Sequence, residues 1–90
     1  MRKFTKDAPE FFAFQIEGDK KTYKIPLAAS MTNKQILEFN EIGDNYFKQI
    51  KWLKGFMGDA VDDLTAAETG AILRAWADAS KEQGASAGES

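Results

Sequence analysis

The spacing of apolar and polar residues changes period along the chain. Near the start, Phe12, Phe14 and Ile16 alternate with Ala13, Gln15 and Glu17, and Tyr23, Ile25 and Leu27 alternate with Lys24 and Pro26. A period of two is that of a half-buried strand. Gly18, Asp19, Lys20 and Lys21 lie between the two runs and supply a turn, so residues 11–28 read as a β-hairpin. Pro26 has no N–H to give to a ladder, which puts the second strand at an edge or Pro26 near its end. A lone hairpin is marginal in water and must lean on helices or on another copy. Residues 1–10, with Pro9 against a continuous helix, read as a flexible arm.

From residue 32 the period becomes helical. Thr32 and Gln35 have the spacing of a capping box, with Met31 and Ile36 at staple positions. At about 100° per residue, Ile36, Phe39, Ile42, Tyr46, Phe47, Ile50, Leu53 and Met57 fall on one broad face. Gly43, Asp44 and Asn45 interrupt this run, leaving either one helix or two, with Gly43 ending the first and Asp44 or Asn45 capping the second. An acidic connection at residues 59–63 follows, then a second capping box at Thr65 and Glu68. The last helix is expected to run to about Gln83, with its main stripe on Leu64, Ala71, Ile72, Ala75, Trp76 and Ala79, and Gly84 as a stop. Residues 84–90 are Gly, Ala, Ser and one Glu, too little apolar surface to offset ordering, and read as a disordered tail. The expected fold is therefore α+β: one domain over 11–83, with an N-terminal hairpin packed on two or three helices within 32–83.

Composition narrows the chemistry. Ninety residues allow one small core. With no Cys and no His, the chain lacks thiolate zinc sites, the commonest general base and the Ser/His and Cys/His nucleophile pairs. Asp59, Asp62, Asp63 and Glu68 lack the spacing of a calcium loop and suit a helix start, so neither metal nor cofactor is expected. The charged opening and the lack of any long apolar run point to a cytoplasmic protein without a membrane partner. Charge is uneven: residues 1–57 hold ten Lys/Arg and seven Asp/Glu, residues 58–90 two and seven. Such polarity can orient one copy on another, and a homo-oligomer is among the expected assemblies.

Two surfaces are candidates for binding. The run from Lys48 to Lys54 carries Lys48, Lys51 and Lys54 around Trp52 and could hold nucleic acid by phosphate contact and stacking. Three lysines in an acidic chain are weak support, and nucleic acid is the alternative reading. The stronger candidate is apolar. Leu37 and Trp52 project nearly opposite the main stripe, with Phe56 beside them, although a break at Gly43 voids the placement of Leu37. On the last helix Ala66, Gly70, Leu73 and Ala77 form a second ridge. Either the hairpin and a neighbouring helix cover these surfaces, or they dock a partner helix or another copy. Leu37, Trp52, Phe56, Leu73 and Ala77 are the expected contact residues, and Trp76 is expected to anchor the fold.

The sequence EIGDNYFKQIKWL from Glu41, FMGD from Phe56, Leu64 with the box at Thr65 and Glu68, LRAWADA from Leu73 and the closing GES resemble the tail assembly chaperones of long-tailed actinobacterial phages and prophages. The resemblance spans about residues 11–90 and contains no catalytic signature. It implies a non-enzymatic chaperone in the host bacterial cytoplasm that coats the helical tape measure protein and helps recruit tail tube protein. Relatives of this kind often have a longer frameshifted form, for which residues 84–90 would be a flexible joint.

Overall fold

The computed structural model describes residues 1–6 and 8–88, with side chains described as far as Gln83. Strands β1 (Phe11–Gln15) and β2 (Thr22–Pro26) pair antiparallel, with Phe12 opposite Ile25 and Phe14 opposite Tyr23. The alternation anticipated from the sequence is realised: Tyr23 and Ile25 are buried, Phe12 and Phe14 half-buried, while Ala13 and Lys24 face out. Pro26 is the last residue of β2, where no ladder donor is needed. At the turn, the Asp19 N–H donates to the Ile16 carbonyl at 2.9 Å, and Gly18 takes φ +87°, a value glycine reaches without strain. Asp19 then accepts from the Lys21 N–H and from the Tyr23 hydroxyl, tying the turn to the buried end of the strand.

Three helices follow: α1 (Asn33–Ile42), α2 (Tyr46–Met57) and α3 (Ala66–Gly88). Both capping boxes form. Gln35 N–H donates to Thr32 Oγ1 at 3.2 Å and Thr32 N–H to Gln35 Oε1 at 2.9 Å; the Thr65 and Glu68 pair repeats this at 3.1 and 2.7 Å. The interruption at residues 43–45 is a true break. Gly43 (φ +52°) ends α1, and the Asn45 side chain accepts the Lys48 N–H to open α2. A 3₁₀ turn (Ala28–Ser30) leads into α1, and a 3₁₀ segment (Gly58–Asp63) links α2 to α3. Lys54 holds that segment from α2, with its ammonium 3.2 Å from Asp62 and 3.8 Å from Asp59.

The core joins the inner face of the hairpin to α2 and α3: Tyr23, Ile25, Met31, Leu53, Met57, Val61 and Trp76, with Ile25 and Leu53 fully buried. The inner face of α3 differs from the expected stripe. It runs through Thr69, Ile72, Leu73, Trp76, Ala77, Ser80 and Gln83, while Ala71 and Ala75 are exposed. The reason is polar. Ala28 N–H donates to Ser80 Oγ (3.1 Å), Ala29 N–H to Gln83 Oε1 (3.1 Å), and the Trp76 indole N–H to the Pro26 carbonyl (2.9 Å). Gln83 Nε2 also donates to Ser30 Oγ and to the Glu10 carboxylate. These bonds satisfy the free donors at the start of the 3₁₀ turn and rotate α3 toward the strand exit. Glu10 is tied as well, its carbonyl accepting the Leu27 N–H and its N–H donating to Ser30 Oγ, so attachment begins one residue before β1. The α3 backbone is helical through Gly88, past the stop expected at Gly84; of the expected tail, residues 89–90 lie outside the described residues.

Candidate functional site

α1 carries four large apolar side chains and buries none of them. Ile36 is 44% exposed, Leu37 66% and Phe39 37%, with Ile42 half-buried. The helix is held by its capping box, by the break at Gly43 and by contact with α2, without contributing a residue to the buried core. The sequence expectation that Ile36 and Phe47 join the core-facing stripe is corrected here: Phe47 is 80% exposed. Restarting the helix at Asn45 resets its rotation, so the positions that α1 and α2 would share in one continuous helix no longer line up.

Beneath α1 lies a cluster of aromatic rings. Phe39 approaches Trp52 at 5.1 Å and Trp76 at 5.2 Å between centroids, and Trp52 meets Trp76 at 5.2 Å and Phe56 at 5.0 Å, mostly tilted or edge to face. Such contacts contribute roughly 0.5–1.5 kcal/mol each beyond area burial. Trp52 and Phe56, expected to stand off the core, are therefore half-buried against it. Leu73 and Ala77 are half-buried as well; they do not form a ridge opposite Trp76 but join it on one side of a groove. That groove, about 150 Å³, is lined by Phe39, Ile42, Gly43, Gln49, Trp52, Leu73, Trp76 and Ala77. Four of the five expected contact residues thus lie in or beside the aromatic cluster. Leu37 projects about 160° away from Phe39 on α1 and stands alone on the outer face.

A second depression of about 310 Å³ adjoins the groove through the shared residues Ile42 and Trp52, and is bordered by Glu38 and Glu41 of α1 and Lys48 and Lys51 of α2. Among the described residues the ion pairs are those of Lys54 with Asp59 and Asp62, so these four charges are left without a partner inside 4 Å. Carboxylates beside Lys48 and Lys51 cancel the field that phosphates would need, and Lys54 is already engaged. Trp52 is half-buried among Phe39, Phe56 and Trp76, which makes it a poor stacking platform.

Ser80, Gln83 and Thr69 were not among the residues singled out from sequence. Their signal, polar residues on the register of Trp76, is visible only once that register is used as the reference face. Among the described residues no helix is long and apolar enough to cross a membrane, and no group of three acidic side chains could hold a metal ion. The chain matches no protein-family model, no curated protein and no solved structure.

Proposed function

We propose that this chain is a non-enzymatic chaperone that holds an amphipathic helical client against α1, as a tail assembly chaperone holds the tape measure protein before tail tube subunits are recruited. The observation that carries the reading is that α1, with Ile36, Leu37 and Phe39 on it, places no side chain in the buried core. Leu37 and the exposed part of Ile36 are left outside the aromatic cluster and are available to another polypeptide, and helix-on-helix packing is the contact they suit. The resemblance at residues 41–53 and 73–79 supplies the identity of the client; the exposed apolar helix supplies the physical means. A contact centred on one exposed aliphatic side chain also suits a client that must later be released.

The test is to look downstream of this gene for a very long open reading frame rich in helix-forming residues, whose absence would count against the proposal, and to co-express its product with this chain. The client is expected to stay soluble with the wild-type chain and to precipitate with Leu37→Asp, which leaves the core untouched. Equal client solubility with and without the chain would overturn the proposal. Salt-sensitive retention of labelled DNA or RNA, lost on neutralising Lys48 and Lys51, would replace it with the nucleic-acid reading.

A further inference from the structure

From the exposure of α1 and the charges on either side of the break at Gly43, we infer that α1 is a strap: it opens away from the aromatic groove while the rest of the fold stays closed, and Glu41 and Lys48 hold it down across the break. The helix is fastened at its two ends and little between. Met31, just before it, is buried, and the Gly43 carbonyl just after it accepts a hydrogen bond from Gln49 Nε2 at 3.1 Å. Between these points eight of the ten residues of α1 are exposed, and its principal neighbour is α2. The ring it places against the cluster is Phe39, on Trp52 and Trp76. A segment with so few buried contacts opens at a free energy far below that of the whole fold. A Cβ at Gly43 would meet nothing within 4 Å, so the chain is free to turn at the pivot.

The charges supply the latch. Glu38 and Glu41 of α1 and Lys48 and Lys51 of α2 line one depression within the chain. Glu41 lies in the last turn of α1 and Lys48 in the first turn of α2, the places where each helix's own dipole disfavours that sign. Glu41 also stands three residues from Glu38, a like charge on the same side of the helix. Neither charge therefore helps the helix that carries it, and what each gains is attraction to the other across the break. They stand more than 4 Å apart, so the attraction is that of a loose, solvated pair, strong enough to bias an opening equilibrium and weak enough to let it proceed. Opening removes Phe39 and Ile42 from one wall of the groove and bares Trp52, Leu73 and Trp76 on the other.

Hydrogen exchange of the full chain, followed amide by amide and expressed as protection factors, tests it. Amides of α1 should exchange about ten-fold or more faster than those of α2 around Leu53 and of α3 around Trp76. Phe39→Ala should speed α1 about ten-fold further through the loss of two ring contacts, although Ala is the better helix former, and leave α2 and α3 unchanged. Glu41→Lys gives the sign that separates a latch from a merely weak helix. It suits the dipole of α1 and makes Glu38 a favourable neighbour, so helix preference alone predicts slower exchange. Loss of the latch, with like charge now facing Lys48 and Lys51, predicts exchange roughly two- to five-fold faster. Adding Lys48→Glu should return the rate to that of the wild type. Protection in α1 equal to that in α2 and α3, indifference to Phe39→Ala, slower exchange in Glu41→Lys, or a double variant no slower than the single one would each overturn the inference. It concerns the free chain and is independent of the client-binding reading, which uses Leu37 on the outer face of α1: the expected exchange with no client solubilised, or the reverse, would leave one standing without the other.

Discussion

Trp76 occupies the position from which most of the fold is controlled. Its ring closes the aromatic cluster, its indole N–H donates to the Pro26 carbonyl, and it is 6% exposed. Trp76→Ala should cost about 3–5 kcal/mol through lost packing and the cavity left behind. Trp76→Phe keeps much of the volume but orphans the carbonyl, at roughly 1–3 kcal/mol. Urea denaturation followed by circular dichroism reads both. At the hairpin turn the relevant variable is pH. The hydrogen bond from Tyr23, with the Lys21 N–H second, holds the Asp19 carboxyl below its ordinary range, and the same bond pushes the Tyr23 hydroxyl up. A depressed carboxyl contributes stability that is present above the unfolded-state value and lost as pH falls through the folded one. A raised phenol contributes stability that is present below its unfolded-state value and lost as pH rises through the folded one. Asp19→Ala should therefore flatten both limbs of a plot of urea midpoint against pH, while a persistent slope at both ends would show that other groups carry it.

At the scale of elements, the capping boxes were legible in the sequence, while the break at Gly43 was left open and the stop expected at Gly84 is passed by α3. Each capping box is a two-residue code whose hydrogen bonds are local, so Thr32 with Gln35 and Thr65 with Glu68 specify helix starts without reference to the remaining chain. The hairpin was legible for the same reason, its alternation being a property of neighbours. Residues 43–45 could be read as a gap but not as a change of direction, because glycine permits a break and only tertiary contact decides it. The face of α3 was misread since hydrophobicity alone was used to find it, and three of its inward residues, Thr69, Ser80 and Gln83, are polar. For the candidate site this meant that Trp52, Phe56, Leu73 and Ala77 were noticed but their gathering around Phe39 was not, while Phe47 was assigned to the wrong side. The break itself can be tested. Gly43→Ala meets open space but must adopt φ +52° with ψ −131°, a sparsely populated conformation that costs a residue with a Cβ about 1–3 kcal/mol. The same substitution should shift the tryptophan fluorescence, because Gly43 and both tryptophans line one groove.

The whole molecule separates into a part that is closed and a part that is not. Hairpin, α2 and α3 enclose the core, and α1 lies over it, adding Phe39 to the aromatic cluster but no buried residue. Stability and binding should accordingly respond to different substitutions. Leu53→Ala, at a fully buried position, should cost about 2–5 kcal/mol. Leu37→Asp should change stability by about 0.5 kcal/mol or less, as exposed positions usually do, while removing client solubilisation. Parallel measurement of the urea midpoint and soluble client yield checks this separation. Proportional loss of both in every variant would mean that α1 is part of the folding unit and not a surface reserved for contact.

The polar clasp between α3 and the residues just after β2 joins positions that are far apart in order of manufacture. Ser80 meets Ala28 across 52 residues, and Gln83 meets Glu10 across 73. A ribosome releasing this chain from its first residue onward therefore delivers the two tryptophans and the hairpin before the final ties exist. For that interval the register of α3 against the strand exit has nothing to hold it, so docking of α3 is expected to await synthesis of residues 80–83.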